Sequence, residues 1–427
     1  MKFLTACIVA TSILLNGCNN SSTSPEKSAS KLTFMGKSMS VYNGEYCAAL
    51  NAEVYINDAD GSSPRLATLD EGVLDLDDVP ENGFITTREL YDEGGSSGGN
   101  NPNYIYVVTS IQKEAISQDG MLFFEGYNNY DFILGQRCIT LPIDDSSTTV
   151  VTNADEYPNT VTVSPDNGTP MYDGVPASLL GEEASFFTFS LNDVGNITGN
   201  SSYGVSNTET VTINKPVVTY PIVGDHEKIS SYNSTLSVND VLSRINTSHT
   251  STSHSELYLP QEIDIISQMT AFRSEYSLDA KVWSEQRVVP KNGQFNVNFP
   301  SAQPIDSMTI NDDDSISFIT NNFRYNVIES ELNGSNDITP YIINVFQVTK
   351  ASKTIHVELP EPWALTDINR ASITLYNFED SKSLDLSIMA ELRNSELVMI
   401  DPASSAIHDY NKAIMTESSV AGASVDL

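Results

Sequence analysis

Residues 315–330 read SISFITNNFRYNVIES, and residues 341–350 read YIINVFQVTK. Apolar and polar side chains alternate through most of the first stretch, and β-branched and aromatic residues fill both. Alternation at period two places successive side chains on opposite faces, the signature of a strand with one buried face. The same pattern recurs in both directions along the chain. It appears in LTFMGKSMSVY (32–42), AEVYIND (52–58), YIYVVTSIQ (104–112), SFFTFSLND (185–193), ETVTIN (209–214), FNVNF (295–299), KTIHVELP (353–360) and ASITLYNF (371–378). Gly, Asn, Asp, Ser and Pro separate these stretches, as turn chemistry requires. The expected fold class is all-β, built as tandem antiparallel β-sandwich domains of immunoglobulin-like type.

Helical text is scarce. In SVNDVLSRI (237–245), Val238, Val241, Leu242 and Ile245 recur at helical spacing, which predicts a short connecting helix. The stretch NTSHTSTSHS (246–255) has no core-forming residue, and polar Asp144-Asp145-Ser146-Ser147 closes an earlier unit. These breaks divide the chain into β units at 31–145, 148–245 and 256–415. A further break is available near Asn333-Gly334-Ser335-Asn336, and the tail 416–427 is expected to be loose.

The chain carries 56 Asp and Glu against 22 Lys and Arg, a formal charge of −34. Nucleic acid and anionic lipid headgroups both require clustered basic residues, so neither is an expected partner.

The N-terminus is organised differently. Lys2 precedes an apolar run from Phe3 to Leu15, then Leu15-Asn16-Gly17-Cys18, then the polar stretch NNSSTSPEKSAS. The run is shorter than the roughly twenty residues a membrane-spanning helix needs. It resembles the export signal of bacterial lipoproteins, although Asn16 is larger than the small residue usual at that place. The resemblance implies removal of 1–17, lipidation of Cys18, and a tether over 18–30. Acyl chains anchor by burying methylenes, at about 0.8 kcal/mol each. Asn19 stands where that family carries a retention aspartate, which implies the outer membrane of a Gram-negative cell, facing the periplasm or the cell surface. Cys7 would leave with the signal, and Cys47 and Cys138 would remain as a pair in an oxidising compartment. A disulfide between them is expected.

A second resemblance covers part of the first unit. Ala52–Asp58, then Thr68-Leu69-Asp70-Glu71-Gly72 with Leu76, then Val79-Pro80-Glu81-Asn82-Gly83-Phe84-Ile85, follow the order strand, turn, strand. This is similar to the immunoglobulin-like sandwich of the carboxypeptidase regulatory-domain group, an accessory module without catalytic residues.

Candidate chemistry is sparse. Gly94-Gly95-Ser96-Ser97-Gly98 matches the nucleophile-elbow pattern, but Gly99-Asn100-Asn101-Pro102 follows where a helix should start. Three acidic clusters could supply calcium ligands: Asp58 with Asp60, then Asp75 with Asp77 and Asp78, then Asp312, Asp313 and Asp314. An EF-hand is excluded, because Ile56 and Ala67 occupy its first and last ligand positions. The alternative for each cluster is a plain turn. Trp283 and Trp363 are candidate stacking platforms for sugars, with packing as the alternative. No resident cofactor is expected beyond such a calcium ion.

The expected function is non-enzymatic. It is that of an outer-membrane-anchored lipoprotein in adhesion, envelope scaffolding or surface assembly, touching envelope or surface proteins. The alternative is a carbohydrate- or calcium-binding surface module, with a hydrolase last, since two lone carboxylates can cleave glycosides without a local motif.

Overall fold

The computed structural model describes residues 31–37, 45–50, 52–92, 104–116, 120–124, 133–140, 150–157, 160–163, 186–190, 199–206, 210–238, 241–249, 255–260, 265–276, 281–299, 305–311, 313–320, 323–336, 339–348, 354–378, 398–399 and 417–426. These residues are β almost throughout, with short 3-10 turns between strands. The largest unit is a twelve-stranded sheet. Its order is Val241–His249, Ser231–Val238, Ile265–Tyr276, Lys281–Val288, Ser418–Asp426, Asp367–Phe378, Val327–Asn336, Thr339–Val348, Tyr104–Gln112, Phe84–Asp92, Val54–Asn57 and Arg65–Leu66. Neighbours are antiparallel except Thr339–Val348 and Tyr104–Gln112, which run parallel.

Sandwich layering follows from the alternation. One face of the large sheet presents Ile56, Ile85, Ile111, Phe346, Val327, Tyr376 and Val420. These pack against Leu32, Phe34, Leu74 and Leu122 from a six-stranded sheet around Lys31–Lys37. The opposite face presents Val108, Ile328, Ile343, Ile373 and Leu375. A three-stranded sheet of Ile305–Ile310, Ile316–Thr320 and Thr354–Ile355 covers them with Ile305, Ile316, Phe318 and Ile355. Farther along that second face, Met269, Ala271 and Val288 meet Ile222, Leu257, Leu259 and Phe295 of another three-stranded sheet. Burial at about 25 cal/mol per Å² of apolar surface drives each interface.

Several expectations need correction. Residues 237–238 and 241–245 are strand, not helix: Ser231–Val238 and Val241–His249 pair antiparallel, with Val238 opposite Val241. The tail is not loose. Ser418–Asp426 pairs with both Lys281–Val288 and Asp367–Phe378 in the middle of the large sheet. Its small side chains suit that place: Gly422 lies opposite Trp283, and a Cβ there would sit 1.9 Å from the indole ring. Asn333–Asn336 marks no break, because it belongs to a strand paired on both sides. The large sheet draws strands from both sides of the boundaries expected near 145 and 255.

Candidate functional site

Two acidic turns approach His356. In the first, the Asp58 amide donates to the Ser62 carbonyl and the Gly61 amide to the Asp58 carbonyl, both at 2.9 Å. In the second, the Asn311 amide donates to the Ser315 carbonyl at 2.9 Å and the Asp314 amide to the Asn311 carbonyl at 3.0 Å. The turns share this hydrogen-bond pattern, and both reach positive φ at the fourth residue: 82° at Gly61 and 61° at Asp314.

Each turn uses one aspartate internally. Asp60 Oδ1 accepts from the Ser62 hydroxyl at 2.6 Å and the Ser62 amide at 3.0 Å. Asp313 Oδ1 accepts from the Ser315 hydroxyl at 2.6 Å and the Ser315 amide at 3.2 Å. These hydroxyl and amide donors hold both carboxyls below their ordinary range, with His356 adding a smaller effect. Asp314 moves the other way, raised by partial desolvation and then by the Asp313 charge.

Asn57 fixes the first turn to the sheet. Its side chain is fully buried. Its amide nitrogen donates to the Gly61 carbonyl at 3.0 Å and the Glu358 carbonyl at 2.8 Å. Its oxygen accepts from the Thr86 hydroxyl at 2.9 Å. The Glu358 amide also donates to the Gly61 carbonyl at 2.8 Å. Strand, turn and the 356–358 segment thus share one hydrogen-bond hub.

Of the expected calcium ligands, the structure brings Asp60, Asp313 and Asp314 toward His356; Asp312 lies outside the described residues. Asp75 instead caps the 3-10 turn Leu76–Asp78, its carboxylate accepting from the Asp77 amide at 2.9 Å. Arg65 joins the remaining parts, donating to Asp58 at 3.2 Å and to the Asp78 carbonyl at 3.3 Å. Among the described residues, no group of three or more His, Cys, Asp or Glu is placed to hold a metal ion.

Trp363 is a packing residue. Trp363 is 1% exposed, so it offers no stacking face to a sugar. Its ring meets the Tyr55 edge at 4.8 Å, and the Arg88 guanidinium lies 4.6 Å from its centre. Arg88 is also 4.6 Å from the Tyr106 ring centre and donates to the Tyr341 hydroxyl at 3.2 Å. Sequence reading missed this cluster, in which Tyr55, Arg88, Tyr106 and Tyr341 alternate onto one sheet face and Trp363 comes from the 3-10 turn Glu361–Trp363. A partly desolvated cation over two rings contributes on the order of 1–2 kcal/mol. Trp283 is half-buried and lies across Gly422.

Cys18 and the Gly94–Gly98 stretch lie outside the described residues. Backbone register places Cys47 opposite Cys138 in adjacent antiparallel strands, while their side chains lie outside what is described. No helix among the described residues is long and apolar enough to cross a membrane. No family model, curated protein or solved structure matches the chain.

Proposed function

We propose that this chain is a non-enzymatic lipoprotein, anchored through Cys18 in the outer membrane, that serves as a structural or adhesive element of the cell envelope. The reading rests on the lipoprotein-like N-terminal stretch and on the layered scaffold that follows it. The observation that carries it is the twelve-stranded sheet closed at its centre by the last strand, Ser418–Asp426. A polar tether followed by layered sheets suits a protein that displays surface and bears contact. The charged groups nearest to a site support the same reading, since Asp60 and Asp313 are engaged by their own turns.

Two experiments test this proposal. Palmitate labelling of cells expressing the full chain is expected to mark the wild type and not Cys18→Ala; label that survives the substitution overturns the anchor. Cross-linking in intact cells is expected to capture envelope or surface proteins. A glycan screen or calcium calorimetry that returns specific binding would replace the structural reading with that of a binding module.

A further inference from the structure

We infer that Cys47 and Cys138 form a cross-strand disulfide that staples two neighbouring strands of the six-stranded sheet. Glu45–Ala49 and Ile133–Thr140 are adjacent antiparallel strands, and the register sets Cys47 directly opposite Cys138. Residues opposed in this way have Cα atoms roughly 4.5–5.5 Å apart, inside the roughly 4.4–6.8 Å window that a disulfide spans. Two thiols about ninety residues apart in the chain have therefore been brought into register by folding, without any requirement from local sequence.

The placement gives the bond a definite task. Between the two cysteines the chain supplies Val54–Asn57, Arg65–Leu66, Phe84–Asp92 and Tyr104–Gln112 to the large sheet, and Val73–Asp75 and Gly120–Phe124 to the smaller one, where both pair with Lys31–Lys37. A covalent link between Cys47 and Cys138 closes a loop that passes between the two layers more than once. Links that close long loops restrict the unfolded chain most.

The chemistry balances with an oxidant of the disulfide class. The Cys47 and Cys138 thiols lose two protons and two electrons and gain one S–S bond. The oxidant disulfide accepts both electrons and both protons and becomes two thiols. In the envelope a dithiol oxidase supplies that disulfide; glutathione disulfide supplies it in the test tube. The inference depends on the proposed location for this cellular oxidant alone, so the purified-protein test is independent of it.

The experiment incubates the reduced full-length protein with glutathione disulfide, alkylates remaining thiols, digests without reductant and identifies linked peptides by mass. The expected product joins the peptides holding Cys47 and Cys138, two hydrogens lighter than their sum, in excess over links to Cys7 or Cys18. Alkylation of both residues, or glutathione adducts on each, overturns the inference. A second measurement does not depend on oxidation yield. Reductant is expected to lower the denaturant midpoint of the wild type and to leave Cys47→Ser/Cys138→Ser unchanged; equal midpoints with and without reductant contradict the staple. Protein from cells carrying Cys18-dependent lipid but free Cys47 and Cys138 would defeat this inference while sparing the anchor.

Discussion

The turns at 58–62 and 311–315 share backbone hydrogen bonds, an aspartate that accepts from a serine two residues on, and His356 as a neighbour. They differ in how they are held. The first has glycine at its left-handed position and is clamped by buried Asn57, whereas the second has Asp314 there. Its Asn311 bonds within its own small sheet, donating to Ser315 at 2.7 Å and to Ser317 at 2.9 Å. One local design therefore joins layers in the first turn and ends a hairpin in the second. The difference comes from what approaches from outside. The carbonyl of His356 comes so near Gly61 that a Cβ there would sit 2.0 Å from it.

Breaking the first turn should have the largest effect. Asn57→Ala removes three hydrogen bonds, each worth about 0.5–1.5 kcal/mol. The Gly61 carbonyl keeps the Glu358 amide and the Thr86 hydroxyl keeps Ser110, whereas the Glu358 carbonyl loses the amide it faces. A loss of about 3–4 kcal/mol in unfolding free energy is expected by denaturant titration. A loss below about 1 kcal/mol would show that the hub does not form. Gly61→Ala comes next, combining a left-handed backbone penalty of about 1–2 kcal/mol with the close carbonyl. The expected total is about 2–3 kcal/mol, visible as a lower midpoint in the same titration.

The second turn should respond in the opposite direction. Asp314→Gly relieves a positive φ without meeting a clamp, so a gain of about 0.5–1 kcal/mol is expected. If Asp314→Gly destabilises the protein, the two turns are not the same structure.

The smallest effects are electrostatic. Asp60 and Asp313 have folded-state pKa values below the ordinary 3.8. Their contribution is present above that value and is lost as pH falls through the folded pKa. Asp314 is raised, so its ionised form opposes folding, and acid relieves that cost as pH falls through its folded pKa toward 3.8. Asp60→Asn and Asp313→Asn should therefore flatten the acid loss of stability. Asp314→Asn should remove the small rise that precedes it. Chemical denaturation across pH 2–6 reads both slopes.

How far the sequence was legible follows the same division between local and distant causes. Alternation marks the strands Ile316–Thr320 and Val327–Asn336, since period two is a property of adjacent residues, whereas Thr339–Val348 is marked by its β-branched and aromatic run, buried on both faces. The stretch 237–245 misleads because Val238, Val241, Leu242 and Ile245 fit a helical face, yet the residues on either side of Asn239 pair as antiparallel strands. β-branched content favours strand there. Ser418–Asp426 was hidden for another reason. It is rich in Ser, Ala and Gly because layers lie on both sides and Trp283 lies across Gly422, so burial there leaves little room for large apolar side chains. The turn chemistry of Asp60 with Ser62 and of Asp313 with Ser315 is present in the text as Asp two residues before Ser. Their meeting at His356 is not, since it depends on a tertiary contact between distant segments.

The acidic turns spend Asp60 and Asp313 on their own backbone and serine hydroxyls. The most direct measurement is thermal unfolding of the full chain in excess EDTA and across a calcium titration, repeated with Asp60→Ala and Asp313→Ala. A ligand that binds only the folded state at about 100 times its Kd adds about 2.7 kcal/mol of stability. The account predicts a Tm independent of calcium, with both variants less stable than the wild type even in EDTA. A wild-type Tm that climbs with calcium, in a manner abolished by Asp60→Ala or Asp313→Ala, would contradict it.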